Sequence, residues 1–117
     1  MNKNLHFYMD DSGARHLDYV PKEPGQQDWF ALGGILIAEE DEEVFRAAHL
    51  DFMQRWRIQA PLHSFKIRGC SKEFSWISQL SEVDRVRFYN ELTQLVVGAP
   101  VTGTACVIDR PGYDLRY

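Results

Sequence analysis

The stretch LHFYMDDSG, from Leu5 to Gly13, constrains the fold of this chain more than any other. Apolar Leu5, Phe7 and Met9 stand at every second position, which is the pattern of a β-strand with one buried face. Two carboxylates, a serine and a glycine follow, and these residue types favour turns. We therefore expect a strand that ends at these acids and presents them at the edge of a sheet.

The adjacent carboxylates of Asp10 and Asp11 repel one another unless a positive charge lies beside them. A hard divalent cation is the usual solution, since oxygen ligands suit Mg²⁺ and Mn²⁺. An Asx-turn that closes a hairpin is the simpler alternative, because Asp, Ser and Gly favour turns in any case. Both interpretations stay open when this stretch is taken alone.

Composition restricts the class of protein. A chain of 117 residues with a hydrophobic fraction of 44% is long and apolar enough for one globular domain. Cys70 and Cys106 are too few for a disulfide scaffold and form no C-x-x-C motif, so we expect reduced thiols in a cytoplasmic protein. No stretch approaches the roughly 20 apolar residues of a membrane span, and no signal peptide is visible, so no membrane is expected.

Charge is distributed unevenly along the chain. The formal net charge is −4, and 11 of the 17 acidic residues lie in residues 1–51. Residues 52–72 contain no acid and five bases, which are Arg55, Arg57, Lys66, Arg68 and Lys72. Such a local basic stretch is typical of a phosphate-binding surface, although it also fits an ordinary solvated face.

The next elements can be predicted from apolar runs and helix signals. Residues 29–38, WFALGGILIA, have the continuous apolar character of a strand covered on both faces. The acids of residues 39–43 then open a helix, because negative charge stabilises a helix N-terminus. Between the two strands, residues 14–28 form a polar loop that is either a flap over a site or a plain surface loop.

The second half of the chain predicts further elements. Residues 62–67, LHSFKI, alternate weakly and indicate a short strand or an extended segment, and residues 71–80 indicate a short helix capped by Ser71. Ser81 to Asp84 resembles a capping box, so a long helix follows as far as Gly98. Residues 101–109, VTGTACVID, form a last strand that ends in Asp109.

These elements predict an α/β fold in which helices cover the faces of a mixed β-sheet. Two of the predicted strands end in carboxylates, Asp10 and Asp109. If these strand ends are neighbours, the two carboxylates lie within roughly 4–8 Å of one another, as in sites that hold one or two metal ions. The edge formed by strand ends is where open α/β sheets bind ligands.

Four segments, FYMDDSG, WFALGGILI, LHSFKIR and VIDR, together resemble the N-terminal half of a bacterial and phage family known as domain of unknown function 3800. That family is similar to the ribonuclease H-like fold, whose members hydrolyse or transfer phosphodiesters with two divalent metals. The resemblance implies that residues 1–117 form a single ribonuclease H-like domain. Because family members usually continue further, three interpretations stay open: a truncated domain, a natural short form, or a domain whose site is incomplete.

The resemblance also implies site residues. Asp10 matches the first acid of the family's D-E-S-G motif, and Asp11 stands where Glu is usual. His63 matches the histidine of the third segment, and Asp109 matches the acid of the last strand. Pro61 stands where the family usually has a Glu, so one expected acid is missing.

One functional hypothesis is a metal-dependent nuclease or phosphodiesterase. Asp10 and Asp109, with help from Asp11, would hold Mg²⁺ or Mn²⁺, and His63 would orient water or protonate the leaving group. Four bases would contact nucleic-acid phosphates, namely Arg55, Lys66, Arg68 and Lys72. His63 is equally well interpreted as a structural histidine.

The alternative hypothesis is a non-catalytic, degenerate ribonuclease H-like module that binds a protein or nucleic-acid partner. A shortened fold exposes surface that further chain would cover, which favours a homodimer. Zinc is a poorer fit, because the four histidines and two cysteines share no ligand spacing. Ser12 does not lie in a G-x-S-x-G elbow, so a serine nucleophile is not expected.

Overall fold

A computed structural model of the protein describes residues 2–13 and 29–111. Their elements in chain order are β1 (Leu5–Gly13), β2 (Trp29–Ala38), α1 (Glu39–Arg55), α2 (Ser64–Arg68), a 3₁₀ helix (Lys72–Gln79), α3 (Glu82–Val97) and β3 (Val101–Asp109). The predicted α/β class is confirmed, whereas the predicted flap at 14–28 lies outside the described residues. Within the described ranges, no helix is long and apolar enough to cross a membrane.

The chain divides into two compact units. The sheet unit consists of the described residues of 1–39 and 100–117, and it contains the three strands. The helical unit consists of residues 40–99 and contains the helical segments from residue 40 onward.

The described sheet has the strand order β1-β2-β3, and both strand pairs are antiparallel. The prediction of a mixed sheet is therefore wrong for the described strands. The chain leaves the sheet after Ala38 and re-enters it at Val101, which pairs with Ile37. Because β3 starts beside the end of β2, it can pair with β2 only by running in the opposite direction.

Strand β1 continues beyond the point where the sequence predicts its end. Asp10 pairs with Gly33, and the ladder runs on without interruption until Gly13 pairs with Phe30. The turn preference of D-D-S-G is local, whereas β2 offers a backbone partner to each of these residues. Within β1, only Gly13, the last residue of the strand, has a positive φ, at 89°.

The sheet carries apolar side chains that the described residues leave exposed. Leu32 and Ile35 of β2 are exposed, and Ile37 is buried. The prediction that β2 is covered on both faces is therefore wrong at Leu32 and Ile35 in the described structure. The Gly33-Gly34 pair forms no bulge, and a Cβ at Gly34 would lie 2.6 Å from Cε2 of Phe7.

The helical unit has an aromatic core. The ring of Phe88 lies 5.7 Å from that of Phe52, 5.1 Å from that of Trp56 and 5.2 Å from that of Trp76. The buried members of this core are Phe52, Ile58, Ile67, Phe74, Ile77 and Phe88. Helix α1 contributes Phe52 to this core, and Trp56, the residue after the helix, packs against it.

The prediction of a short strand or an extended segment at residues 62–67 is wrong from Ser64 onward. Ser64–Arg68 form α2, and the residue before it, His63, is extended. Ile67 is buried in the core, and its backbone N–H donates to the carbonyl oxygen of His63 at 2.9 Å. Burial of one apolar side chain is enough to decide the conformation of so short a segment, whose alternation is weak.

The predicted helix starts have different outcomes. Ser81 caps α3 as predicted, because its Oγ accepts the backbone N–H of Asp84 at 3.2 Å. Ser71 precedes the next helical segment, which is a 3₁₀ helix, but its side chain makes no capping hydrogen bond. Phe74 and Ile77 of that segment are fully buried, so tertiary packing holds it in place of a cap.

Replacing Phe88 with Ala tests the importance of this aromatic core. The side chain is fully buried, so we expect a loss of about 3–5 kcal/mol in the free energy of unfolding. Urea unfolding followed by circular dichroism measures it. Val97→Ala is the control, because Val97 lies exposed on the same helix and its truncation should change stability by less than about 0.5 kcal/mol. Equal effects of the two variants would contradict this assignment of the core.

Candidate functional site

The two carboxylates predicted to converge lie on opposite edge strands of the described sheet. Asp10 pairs with Gly33 from β1, and Asp109 pairs with Trp29 from β3. Both therefore lie on the same face, because residues 29 and 33 of β2 share a face. Two strand spacings and four residues of rise place the Cα atoms of Asp10 and Asp109 about 16 Å apart. The prediction that their carboxylates lie within roughly 4–8 Å of one another is therefore wrong.

Asp11 lies on the other face of β1, since neighbouring residues of a strand point in opposite directions. The carboxylate of Asp10 instead bonds the backbone beside it, because its Oδ1 accepts the N–H of Asp11 at 2.8 Å. The two side chains therefore point to opposite faces of the sheet, although both residues border one groove.

A groove of about 460 Å³ lies beside Asp10 on the sheet. Ser12 and Tyr8 line it on β1. The groove is deep beside Asp10 because the residues in register with it, Gly33 and Ala105, have no side chain or a small one. A Cβ at Gly33 would lie 3.4 Å from the Cβ of Ala105 and reduce the depth of the groove. The groove can admit a small polar group to one carboxylate.

The described residues do not fit a divalent metal centre. No group of three or more His, Cys, Asp or Glu side chains in residues 2–13 and 29–111 could hold a metal ion. Asp10 and Asp109 are too far apart to share one ion. The expected Mg²⁺ or Mn²⁺ site therefore cannot be built from the described acids alone.

His63 lies in the helical unit, at the residue before α2. It is exposed, and its side chain makes no capping hydrogen bond to the helix. Its backbone is extended, with φ −133° and ψ 110°. A role in catalysis stays a prediction for this residue.

Two of the four predicted nucleic-acid contacts have acidic partners. Arg55 binds Asp51 and Glu91, each at 2.8 Å, and these hydrogen bonds raise the pKa of its guanidinium. Lys66 binds Glu73 at 3.1 Å. The pKa of Glu73 is lowered chiefly by a hydrogen bond from the backbone of Glu73 itself, and next by the hydrogen bond from Lys66.

The other two predicted contacts are less constrained. Arg68 and Lys72 are both exposed. Lys72 has a positive φ of 51°, an uncommon conformation for a residue with a side chain. Arg68 ends α2 and is basic where the negative end of a helix favours a positive charge.

Sequence reasoning missed Phe65, which is 73% exposed on α2. In a helix each residue turns by about 100°, so Phe65 lies about 200° from the buried Ile67 and points away from the core. Lys66 and Arg68 then lie on the two sides between them. We call Phe65, Lys66 and Arg68 the α2 crest. A strand would have placed Phe65 and Ile67 on one face, so the wrong secondary structure concealed the crest.

The chain is similar to the uncharacterized protein y4pM of Sinorhizobium fredii, with 38% identity over 88 residues. The match covers 75% of this chain and 32% of the relative, so the chain spans about a third of that protein's length. No protein-family model matches the chain. No solved structure is similar to it.

Replacing Lys66 with Met tests the ion pair beside the crest. We expect the pKa of Glu73 to rise, but only part of the way to its ordinary value, because the backbone hydrogen bond remains. Carbon-detected NMR titration of the side-chain carboxyl measures the change. A lowered pKa stabilises the fold above the ordinary pKa of Glu, and this contribution is lost as pH falls through the lowered value. Arg46→Met is the control, because Arg46 pairs with Glu42 and not with Glu73. An equal rise in the pKa of Glu73 in this variant would contradict the assignment of Lys66 as the partner of Glu73.

Proposed function

We propose that this protein is a nucleic-acid-binding module of ribonuclease H-like architecture, and that a single strand of RNA or DNA binds to the α2 crest. The observation that carries the proposal is the exposure of Phe65 between two basic side chains, Lys66 and Arg68. An aromatic ring with cations beside it offers a stacking surface for a base and partners for the adjoining phosphates.

The geometry of the crest favours a single strand over a duplex. Every base has a flat π-face, but the bases of a duplex are already stacked and cannot reach a ring on a convex helix. Phe65 projects from a short helix whose opposite side is anchored by Ile67. The ring is therefore held by the core and exposed to a strand with unstacked bases.

The charges around the crest support contact with phosphates. Residues 52–72 contain five bases and no acid, although the formal net charge of the chain is −4. Arg68 is exposed, and Lys66 is shared with Glu73. We expect few phosphate contacts and therefore a modest dependence of affinity on salt.

The resemblance to ribonuclease H-like proteins is consistent with this class of ligand. It is an analogy at the level of the fold, and one fold serves many functions. The exposed ring of Phe65 and the basic side chains beside it carry the proposal independently of that analogy.

Substitutions at Phe65 separate stacking from ordinary apolar contact. Phe65→Ala should weaken binding of a labelled single-stranded oligonucleotide by about 1–3 kcal/mol, or roughly 5–150-fold in Kd, because base–ring stacking is lost. Phe65→Trp should retain affinity, whereas Phe65→Leu should behave like Ala. Fluorescence anisotropy measures each Kd.

The matched control is Val83→Ala, which truncates an exposed apolar residue of α3 and should leave the affinity unchanged. If Leu and Trp at position 65 bind equally well, the ring does not stack on a base. If wild-type protein binds no single strand at low salt, the nucleic-acid proposal is wrong. Arg68→Ala should also flatten the salt dependence, by about 0.7 in the logarithmic slope, and Arg46→Ala should not.

A second candidate is a metal-dependent nuclease or phosphodiesterase, which the groove beside Asp10 favours. The groove leaves this carboxylate accessible on an edge strand of the described sheet, with Ser12 two residues further along the same face. Because the described acids cannot complete a metal centre, this function requires ligands from outside residues 2–13 and 29–111. Asp10 is the residue around which they would assemble.

Asp10→Asn tests the second candidate, and Asp11→Asn is its matched control on the other face of β1. We expect Asp10→Asn to remove Mn²⁺ binding, because Asn keeps the size of the side chain and loses the charge. Isothermal titration measures binding, and cleavage assays use single-stranded, double-stranded and hybrid substrates. Equal losses in both variants, or no Mn²⁺ binding by wild-type protein at millimolar concentration, would reject the metal-dependent candidate.

A further inference from the structure

The backbone of β1 has a defined outer edge. The N–H of Glu39 donates to the carbonyl oxygen of Asn4 at 3.0 Å, and these residues continue the β1–β2 register by one position. Backbone groups alternate in direction along an antiparallel strand, so the even-numbered residues of β1 bond to β2. The N–H and C=O groups of odd-numbered residues therefore point to the other side, away from β2. Those residues are Leu5, Phe7, Met9 and Asp11.

The hydrogen bond at Asp11 agrees with this assignment. Its N–H points outward, and the carboxylate of Asp10 caps it at 2.8 Å. In the described sheet, β1 pairs with β2 alone.

In the described part of the chain, the only edge protection that β1 carries itself is charge at Asp10 and Asp11, near its end. The strand has nine residues, no proline and an unbroken register with β2, so no bulge twists it away. Leu5 is 59% exposed, Met9 is 58% exposed, and Phe7 and Tyr8 are also exposed. A long edge with exposed apolar side chains is a template for another strand.

We propose that two copies of this chain pair antiparallel through the outer edges of β1, with the two-fold axis at Tyr8. This register lets Phe7 of one copy and Met9 of the other exchange backbone hydrogen bonds. Leu5 and Asp11 form the next bonded pair, so the N–H of Asp11 gains a carbonyl partner in place of the Asp10 carboxylate. The proposal rests on the sheet unit and does not depend on nucleic-acid binding.

Charge and the length of the paired segment together favour this register, since an axis at Phe7 would pair only residues 5–9 of β1. Outward groups face one another only when the axis passes through a residue, and an axis at Met9 would bring the aspartates of both copies together near the centre. An axis at Tyr8 instead places each Asp10 directly opposite His6 of the other copy, on the same face of the combined sheet. Opposite-charge or hydrogen-bonded pairs at such positions stabilise strand pairing, and two-fold symmetry makes the pair twice.

Sedimentation equilibrium on the full chain tests the proposal across a range of concentrations. We expect a dimer for the wild-type protein. His6→Asp places carboxylates opposite one another at two positions and should raise the dimer dissociation constant by roughly tenfold or more. The exchange of both residues, His6→Asp with Asp10→His, should restore it.

A second variant acts on the backbone. Met9→Pro removes an outward N–H without removing a β1–β2 hydrogen bond, so it should produce a monomer whose circular dichroism matches that of the wild type. Thr102→Asp is the control, since it adds a negative charge to the exposed surface of β3 and should leave the dimer intact.

Three outcomes would overturn the proposal. A monomer at every soluble concentration of wild-type protein would exclude the dimer. A dimer unaffected by both Met9→Pro and His6→Asp would place the interface elsewhere. Loss of the dimer in the exchanged variant, together with its loss in His6→Asp, would reject the register at Tyr8.

Discussion

The antiparallel ladder between β1 and β2 is the constraint on which the sheet unit depends. It runs without interruption from Leu5 to Gly13 and converts a turn-like stretch of acids into strand. Because strand residues alternate between faces, Asp10 and Asp11 then point apart. The same ladder uses one edge of β1 and turns the backbone groups of its odd-numbered residues outward, and that outer edge is where we propose that a second copy pairs.

In the helical unit, one buried side chain decides which surface is presented. Ile67 enters the aromatic core with Phe74 and Phe88, and helical geometry then forces Phe65 to the outside. Lys66 and Arg68 flank the exposed ring as a direct consequence. The proposed binding surface is therefore produced by core packing on the other side of the same short helix.

The two proposals use different parts of the molecule and different forces. Stacking and phosphate contact operate at the α2 crest, whereas backbone hydrogen bonds and the pairing of His6 with Asp10 operate at β1. Failure of one would leave the other standing. The similarity to the uncharacterized protein y4pM extends over about a third of that protein. Both proposals therefore depend on the two surfaces described above and not on that relative.

The sequence alone determined the elements whose signals are local: the bounds of β2 and β3, the acidic start of α1 and the Ser81 cap. Tertiary structure decided the rest, because a weak alternation over residues 62–67 fits a strand or a helix until Ile67 is buried. Strand order is equally non-local. The sequence places an acid near the end of β1 and at the end of β3. Only the pairing of both strands with β2 puts Asp10 and Asp109 on opposite edge strands, with their Cα atoms about 16 Å apart.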